Sequence, residues 1–167
     1  IDGGAVGVSG VVEKDINLSI AKKLKSRFSI LGYKVIMTRS TDISIHDSSA
    51  ATIREKKASD LKNRLELTKL YPDSILISIH QNTINIPSVR GAQVFYSPNN
   101  PSSKMLALQL QNDLNDCMKS GKPRTVKEAG DNLYIFYNAQ NTAVLAECGF
   151  LSNKEEESLL CSEEYQH

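Results

Sequence analysis

Ser74-Ile75-Leu76-Ile77-Ser78-Ile79-His80-Gln81-Asn82 is the stretch that decides how the rest of the chain is read. Ile75, Leu76, Ile77 and Ile79 fall within six residues that carry no charge, which predicts a strand buried on both faces. His80 stands where that strand is expected to run out. In open α/β sheets, ligands bind beyond the carboxyl ends of the strands, so this position belongs to a functional rim. Position alone favours the plainer reading, a hydrogen-bonded strand end, and the balance is tipped only by residues elsewhere.

Upstream, Ile1-Asp2 and Gly3-Gly4-Ala5-Val6-Gly7 read as the end of a strand entering a glycine-rich loop. A helix opens at Glu13, because Ile16, Ile20, Leu24 and Phe28 recur four apart while Lys22, Lys23, Lys25 and Arg27 turn away. Acidic residues in its first turn suit the helix dipole. Gly32 is the natural stop, and Tyr33 to Met37 alternates as a second strand ending at Thr38-Arg39. Ser40 to Thr52 is polar and long, the kind of loop that tends to be functional or mobile. A helix from about Ile53 to Leu70 follows, with Leu61, Leu65, Ile53 and Ala58 as its apolar stripe, and Pro72-Asp73 turns the chain into the central strand.

Downstream, Gly91 to Ser97 predicts another strand and Ser103 to Met118 a third helix, its methionines expected to fill core. Gly121 to Asp131 reads as a charged loop. Leu133–Tyr137 and Thr142–Ala146 read as two more strands, the second all but apolar and therefore central, with Glu147 at its end. Ser152 or Asn153 is placed to cap a last helix that begins with acidic residues.

Alternating strands and helices predict an α/β fold, a single mixed and largely parallel sheet with helices on both faces, forming one domain over residues 1–167. Lys and Arg total 20 against 19 Asp and Glu, and a net charge of +1 gives no electrostatic case for nucleic acid or an anionic membrane as the main partner. No apolar run approaches a membrane span, and no leader segment opens the sequence, so the chain is expected to be soluble. Cys117, Cys148 and Cys161 are widely spaced and odd in number, which suits packing better than a disulfide framework. His80 and Glu147 both follow buried strands, and Glu13 opens the helix after the first strand and its glycine loop. All three should gather along one rim, where His and Glu are ligands suited to zinc and a spare Glu suits a general base.

Glu13-Lys14-Asp15-Ile16-Asn17-Leu18, Ser78-Ile79-His80-Gln81-Asn82, and Ala146-Glu147-Cys148-Gly149-Phe150-Leu151-Ser152-Asn153 with Glu155-Glu156 resemble, in order, the three signature blocks of zinc-dependent N-acetylmuramoyl-L-alanine amidases. Thr52 to Arg64 and Gly91 to Tyr96 further resemble the germination-specific, spore-cortex branch. The resemblance implies zinc ligands at Glu13 and His80 and a catalytic glutamate at Glu147. Arg64 matches a recurring arginine without an assigned role. One departure stands out: the family places a first zinc histidine in a His-Gly-Gly loop after the Ile-Asp strand end, whereas Ile1-Asp2 here runs straight into Gly3-Gly4 and no histidine precedes His46. Either that ligand has been lost, or a loop segment between Asp2 and Gly3 is missing from these residues. The second is expected, since a glycine loop without its metal is flexible. His46, in the polar loop, is expected to be a surface residue.

The implied reaction is hydrolysis of the amide between N-acetylmuramic acid and L-alanine, with Glu147 taking a water proton and passing it to the leaving amine. Peptidoglycan is then the substrate, an activating or stabilising protein the second partner, and the location extracytoplasmic, at the cell wall or spore cortex. A serine or cysteine nucleophile is disfavoured, for there is no Gly-x-Ser-x-Gly elbow and Cys148 has no evident histidine partner. Two other classes stay open: a catalytically silent domain that binds peptidoglycan or a protein, and a glycosidase using Glu13 and Glu147 as paired carboxylates.

Overall fold

The computed structural model describes residues 2–118 and 122–167. Its elements run α1 (Glu13–Ile30), α2 (Ile53–Lys69), β1 (Ile75–Asn82), β2 (Gln93–Tyr96), α3 (Pro101–Met118), β3 (Lys127–Glu128), α4 (Tyr134–Asn138), β4 (Thr142–Phe150), α5 (Lys154–Leu160) and α6 (Glu163–Gln166). The strands form one mixed sheet in the order β1-β4-β2-β3. β1 pairs with β4 and β2 with β3 in parallel, while β2 and β4 are antiparallel.

β4 is the spine, as its apolar run predicts, with Ala143, Val144, Leu145 and Ala146 all buried. Because successive strand side chains point to opposite faces, Ala143 and Leu145 pack with Leu65 of α2 and Phe136 of α4, and Val144 packs with Ala107 of α3. Each large side chain taken out of water this way contributes roughly 1.5–3 kcal/mol. A third cluster joins α1 to α5 through Ile16 and Leu160, with Cys148 packed against it. Helices therefore cover both faces of the sheet.

Several expectations are corrected. β1 is not buried on both faces: it lies at the sheet edge, and Ile75 is 59% exposed. Tyr33–Met37 forms no ladder, because alternation alone makes no strand without a neighbouring edge to take its N–H and C=O groups. Tyr33 instead packs edge-on to Phe28, and Lys34 lies over the Tyr71 ring. Ile1 lies outside the described residues, and Asp2 belongs to no strand. Leu133–Tyr137, strand-like by composition, is largely the short helix α4, where packing on α2 overrides β-propensity. β3 falls inside the expected charged loop, whose Gly121 is outside the described residues. Neither His80 nor Glu147 ends its strand. β1 continues to Asn82 and β4 to Phe150, with a shift in register between His80 and Asn82.

In α2, Leu65 and Thr68 are buried but Ile53 is 85% exposed and Ala58 is also outside the core, so the first turns reach beyond the sheet. Thr52 caps this helix in a reciprocal capping box with Glu55. The outlying turns hold the polar loop: Asp60 accepts from the Ser44 hydroxyl (2.7 Å) and the Ile45 N–H (2.9 Å), and Asn63 donates to the Ile45 carbonyl (2.7 Å). Met105 is 72% exposed rather than core filler.

Candidate active site

The parallel ladder places His80 of β1 beside Glu147 of β4 in direct register. Both share the strand face of Leu76 and Leu145, which is the face covered by α2. Glu13 arrives from the start of α1, and its Oε1 lies 2.7 Å from His80 Nδ1. The three residues singled out from the sequence are thus brought to one edge of one sheet. His46 is not among them; its ring meets the Ser44 hydroxyl in the polar loop at 2.9 Å.

Glu13 is buried, and donors surround it. Oε2 accepts from the Ala5 N–H at 2.7 Å, and Oε1 accepts from the Gln81 N–H at 3.1 Å and from Asn17 Nδ2 at 3.0 Å. Burial pushes its pKa up, but the bonds from His80, Ala5 and Asn17 outweigh that and hold it at about 2. The glycine loop makes this possible. Gly4 has φ +73°, and a Cβ there would collide with the Glu13 carboxylate. Burial also works against the His80 imidazolium, yet the bond to Glu13 and the charges of Glu13 and Glu147 raise its pKa overall. Its side chain remains 47% exposed, so the site is open to solvent and ligand.

Glu147 has the opposite environment. Burial, partly offset by His80 and reinforced by Glu13, pushes its carboxyl up to about 7. Its Oε2 is buried without a hydrogen-bond partner among the described residues, an arrangement that costs stability unless the atom has a task. The donor chemistry fits a zinc ion in part: an anionic oxygen and an imidazole nitrogen lie 2.7 Å apart, with the unpartnered Glu147 carboxylate oxygen on the neighbouring strand. Catalytic zinc takes three protein ligands, and among the described residues no group of three His, Cys, Asp or Glu side chains is placed to hold a metal.

Sequence reasoning missed the supports of this site. Glu157 accepts from the Ser9 N–H (2.9 Å) and hydroxyl (3.0 Å), and Glu156 from the N–H groups of Gly91 (2.7 Å) and Phe150 (2.8 Å). These acids were expected to complement a helix dipole, and Glu156 also fell in the third signature block, but neither was expected to hold backbone N–H groups of other segments. Asn153, one of two expected caps, accepts from the N–H groups of Glu155 and Glu156. Asn17 follows Glu13 by four residues on a helix, a spacing that could have flagged its contact.

A family profile described as N-acetylmuramoyl-L-alanine amidase matches residues 1–167. The germination-specific N-acetylmuramoyl-L-alanine amidase of Bacillus subtilis is 32% identical over 99% of this chain and 68% of its own length. The amidase CwlD of Clostridioides difficile, solved in complex with the GerS lipoprotein, superposes with a TM-score of 0.92 at 37% identity, covering 99% of this chain and 85% of that one. The catalytic domain of CwlV from Bacillus (Paenibacillus) polymyxa gives a TM-score of 0.79 at 27% identity, over 99% and 83% of the two chains.

Proposed function

We propose that this chain, which belongs to the N-acetylmuramoyl-L-alanine amidase family, cleaves the muramoyl-L-alanine amide of spore-cortex peptidoglycan with Glu147 as general base. The observation that carries the residue assignment is the pair of contrasting carboxylates: Glu13 held anionic at about 2 beside His80, and Glu147 raised to about 7 with an unpartnered buried oxygen. A base is most effective when its pKa lies near the working pH.

Glu13 and His80 would hold a zinc ion, together with a third ligand from outside the described residues. Bound zinc supplies Lewis acidity toward the scissile carbonyl and the attacking water. The free Oε2 of Glu147 takes a proton from that water and returns it to the nitrogen of the leaving L-alanine. Burial favours the neutral carboxylic acid during the interval, so the proton is kept in the site rather than lost to solvent. Glu13, fixed by Ala5, Asn17 and Gln81, stays anionic throughout and serves as ligand rather than acid.

The germination-specific relative and the solved amidase with its lipoprotein support action outside the cytoplasm and a protein partner for this chain as well. Among the described residues no helix is long and apolar enough to cross a membrane. A second reading, a silent domain that binds peptidoglycan or a protein, is favoured by one observation, the lack of a three-donor cluster among the described residues. Glu147→Gln in the full-length protein decides the catalytic role. It should retain zinc uptake and fold while release of L-alanine amine ends from cortex peptidoglycan falls by at least ~100-fold. Wild-type release from that variant would remove Glu147 from the mechanism, and a full-length wild type that neither takes up zinc nor cleaves would establish the silent domain.

A further inference from the structure

Gln81 is buried, Asn17 is half-buried, and their polar ends belong to no apolar cluster. Each sits on an element that carries one of the two zinc ligands, Asn17 one turn after Glu13 on α1 and Gln81 directly after His80 on β1. Gln81 Nε2 donates to Asn17 Oδ1 at 3.2 Å, and Asn17 Nδ2 donates to Glu13 Oε1 at 3.0 Å. The Gln81 backbone N–H donates to the same Glu13 oxygen at 3.1 Å.

The order of donors matters. An asparagine amide can present either end to a neighbour, and the oxygen end turned toward Glu13 would set an acceptor against a carboxylate. A donor from Gln81 on Oδ1 is compatible only with the orientation that gives Glu13 the amide N–H. Gln81 bears a cost for this: its own Oε1 is buried with no hydrogen-bond partner among the described residues. Leaving such an atom unpaired costs about 1–3 kcal/mol. The Gln81 side chain thus meets Asn17 through its N–H side.

We infer that Asn17 and Gln81 are a positioning pair that orients the Glu13 carboxylate for zinc, Gln81 acting through Asn17. This rests on the zinc reading of the site. Outer partners of metal ligands fix ligand orientation, and their loss typically weakens metal binding by about 10–100-fold. A tie that merely joined α1 to β1 would lower stability and leave the metal affinity of the folded protein unchanged.

The test is zinc affinity of the full-length protein, measured by chelator competition, with the melting temperature of the metal-free form recorded alongside. Asn17→Leu should weaken zinc binding by about tenfold or more while the metal-free protein stays folded, and Gln81→Leu should act in the same direction. The double variant should bind no more weakly than Asn17→Leu alone, because Gln81 works through Asn17. Cobalt substituted into Asn17→Leu should give a shifted visible absorption band. If Asn17→Leu does not fold, Asn17→Ser removes the same donor with less apolar bulk. A folded variant with zinc affinity within about twofold of wild type overturns the inference, as do additive losses in the double variant. Wild type that cleaves and binds zinc while the variants match it refutes only the positioning pair; wild type that takes up no zinc overturns the zinc reading and this inference with it.

Discussion

Glu155 and Glu156 are adjacent acids with opposite expected fates on substitution. Glu156 is 1% exposed and accepts two backbone N–H groups, from Gly91 before β2 and from Phe150 at the end of β4. Hydrogen bonds to a charged group contribute about 1.5–3 kcal/mol each. Glu156→Ala strands both donors in a buried setting, and some of that loss is offset because a carboxylate no longer has to be desolvated. A net loss of about 3 kcal/mol follows, which in a domain of this size lowers the melting temperature by about 6–12 °C. Glu155 makes one ion pair, with Arg90 at 3.2 Å, and its side chain is 75% exposed. Glu155→Ala should stay within about 0.5 kcal/mol of wild type. Urea unfolding of both variants at neutral pH, with the slope checked for two-state behaviour, reads the difference directly. Equal midpoints for the two variants, or a Glu156→Ala loss under about 1 kcal/mol, would refute the assignment of Glu156 as the clasp between these segments.

Further outcomes are expected at the site itself. His80→Ala should lose both zinc uptake and cleavage in the full-length protein, assayed by metal content and by released amine ends, whereas a variant that keeps stoichiometric zinc would exclude His80 as a ligand. Gly4→Ala puts a methyl group into the Glu13 carboxylate at a left-handed backbone position, so it should destabilise the metal-free protein by at least ~1 kcal/mol and weaken zinc binding. The pH dependence has a definite sign for Glu147 in the metal-chelated protein. Its folded pKa, about 7, lies above the ordinary 4.5, so its ionised form opposes folding: the penalty is absent below 4.5, grows between 4.5 and 7, and persists above. Glu147→Gln should therefore gain on wild type across that window, by up to about 3 kcal/mol, in urea midpoints measured at pH 5 and pH 8. A pH-independent gap between the two would contradict the buried, raised carboxyl.

What was legible in the sequence was whatever leaves a periodic or local trace. Val144 and Leu145 announced a central strand by apolar continuity, Ile16 to Phe28 a helix by four-residue recurrence, and Glu13, His80 and Glu147 stood out as polar residues at or near the ends of such runs. Tyr33–Met37 has the alternation of a strand, but pairing depends on a neighbour that its own residues do not specify. α4 is short enough for packing to outweigh the β-propensity of Tyr134, Ile135 and Phe136. The bonds that join Gln81 to Glu13 and Asn17, Glu156 to Gly91 and Glu157 to Ser9 cross between segments far apart in sequence, and such contacts leave no spacing to recognise. Glu157 in particular reaches Ser9 across nearly the whole chain.

The register of β1 against β4 also has a kinetic side. Ile75 to His80 pair with Thr142 to Glu147, so every rung joins residues more than sixty positions apart. Such nonlocal parallel pairing bears its loop-closure entropy before it gains any contact, which makes it a slow event in folding. His80 and Glu147 become neighbours only when that ladder closes. A newly made chain accordingly has no assembled site until that slow step is complete, and the time taken to close the ladder sets a delay before His80 and Glu147 can act together.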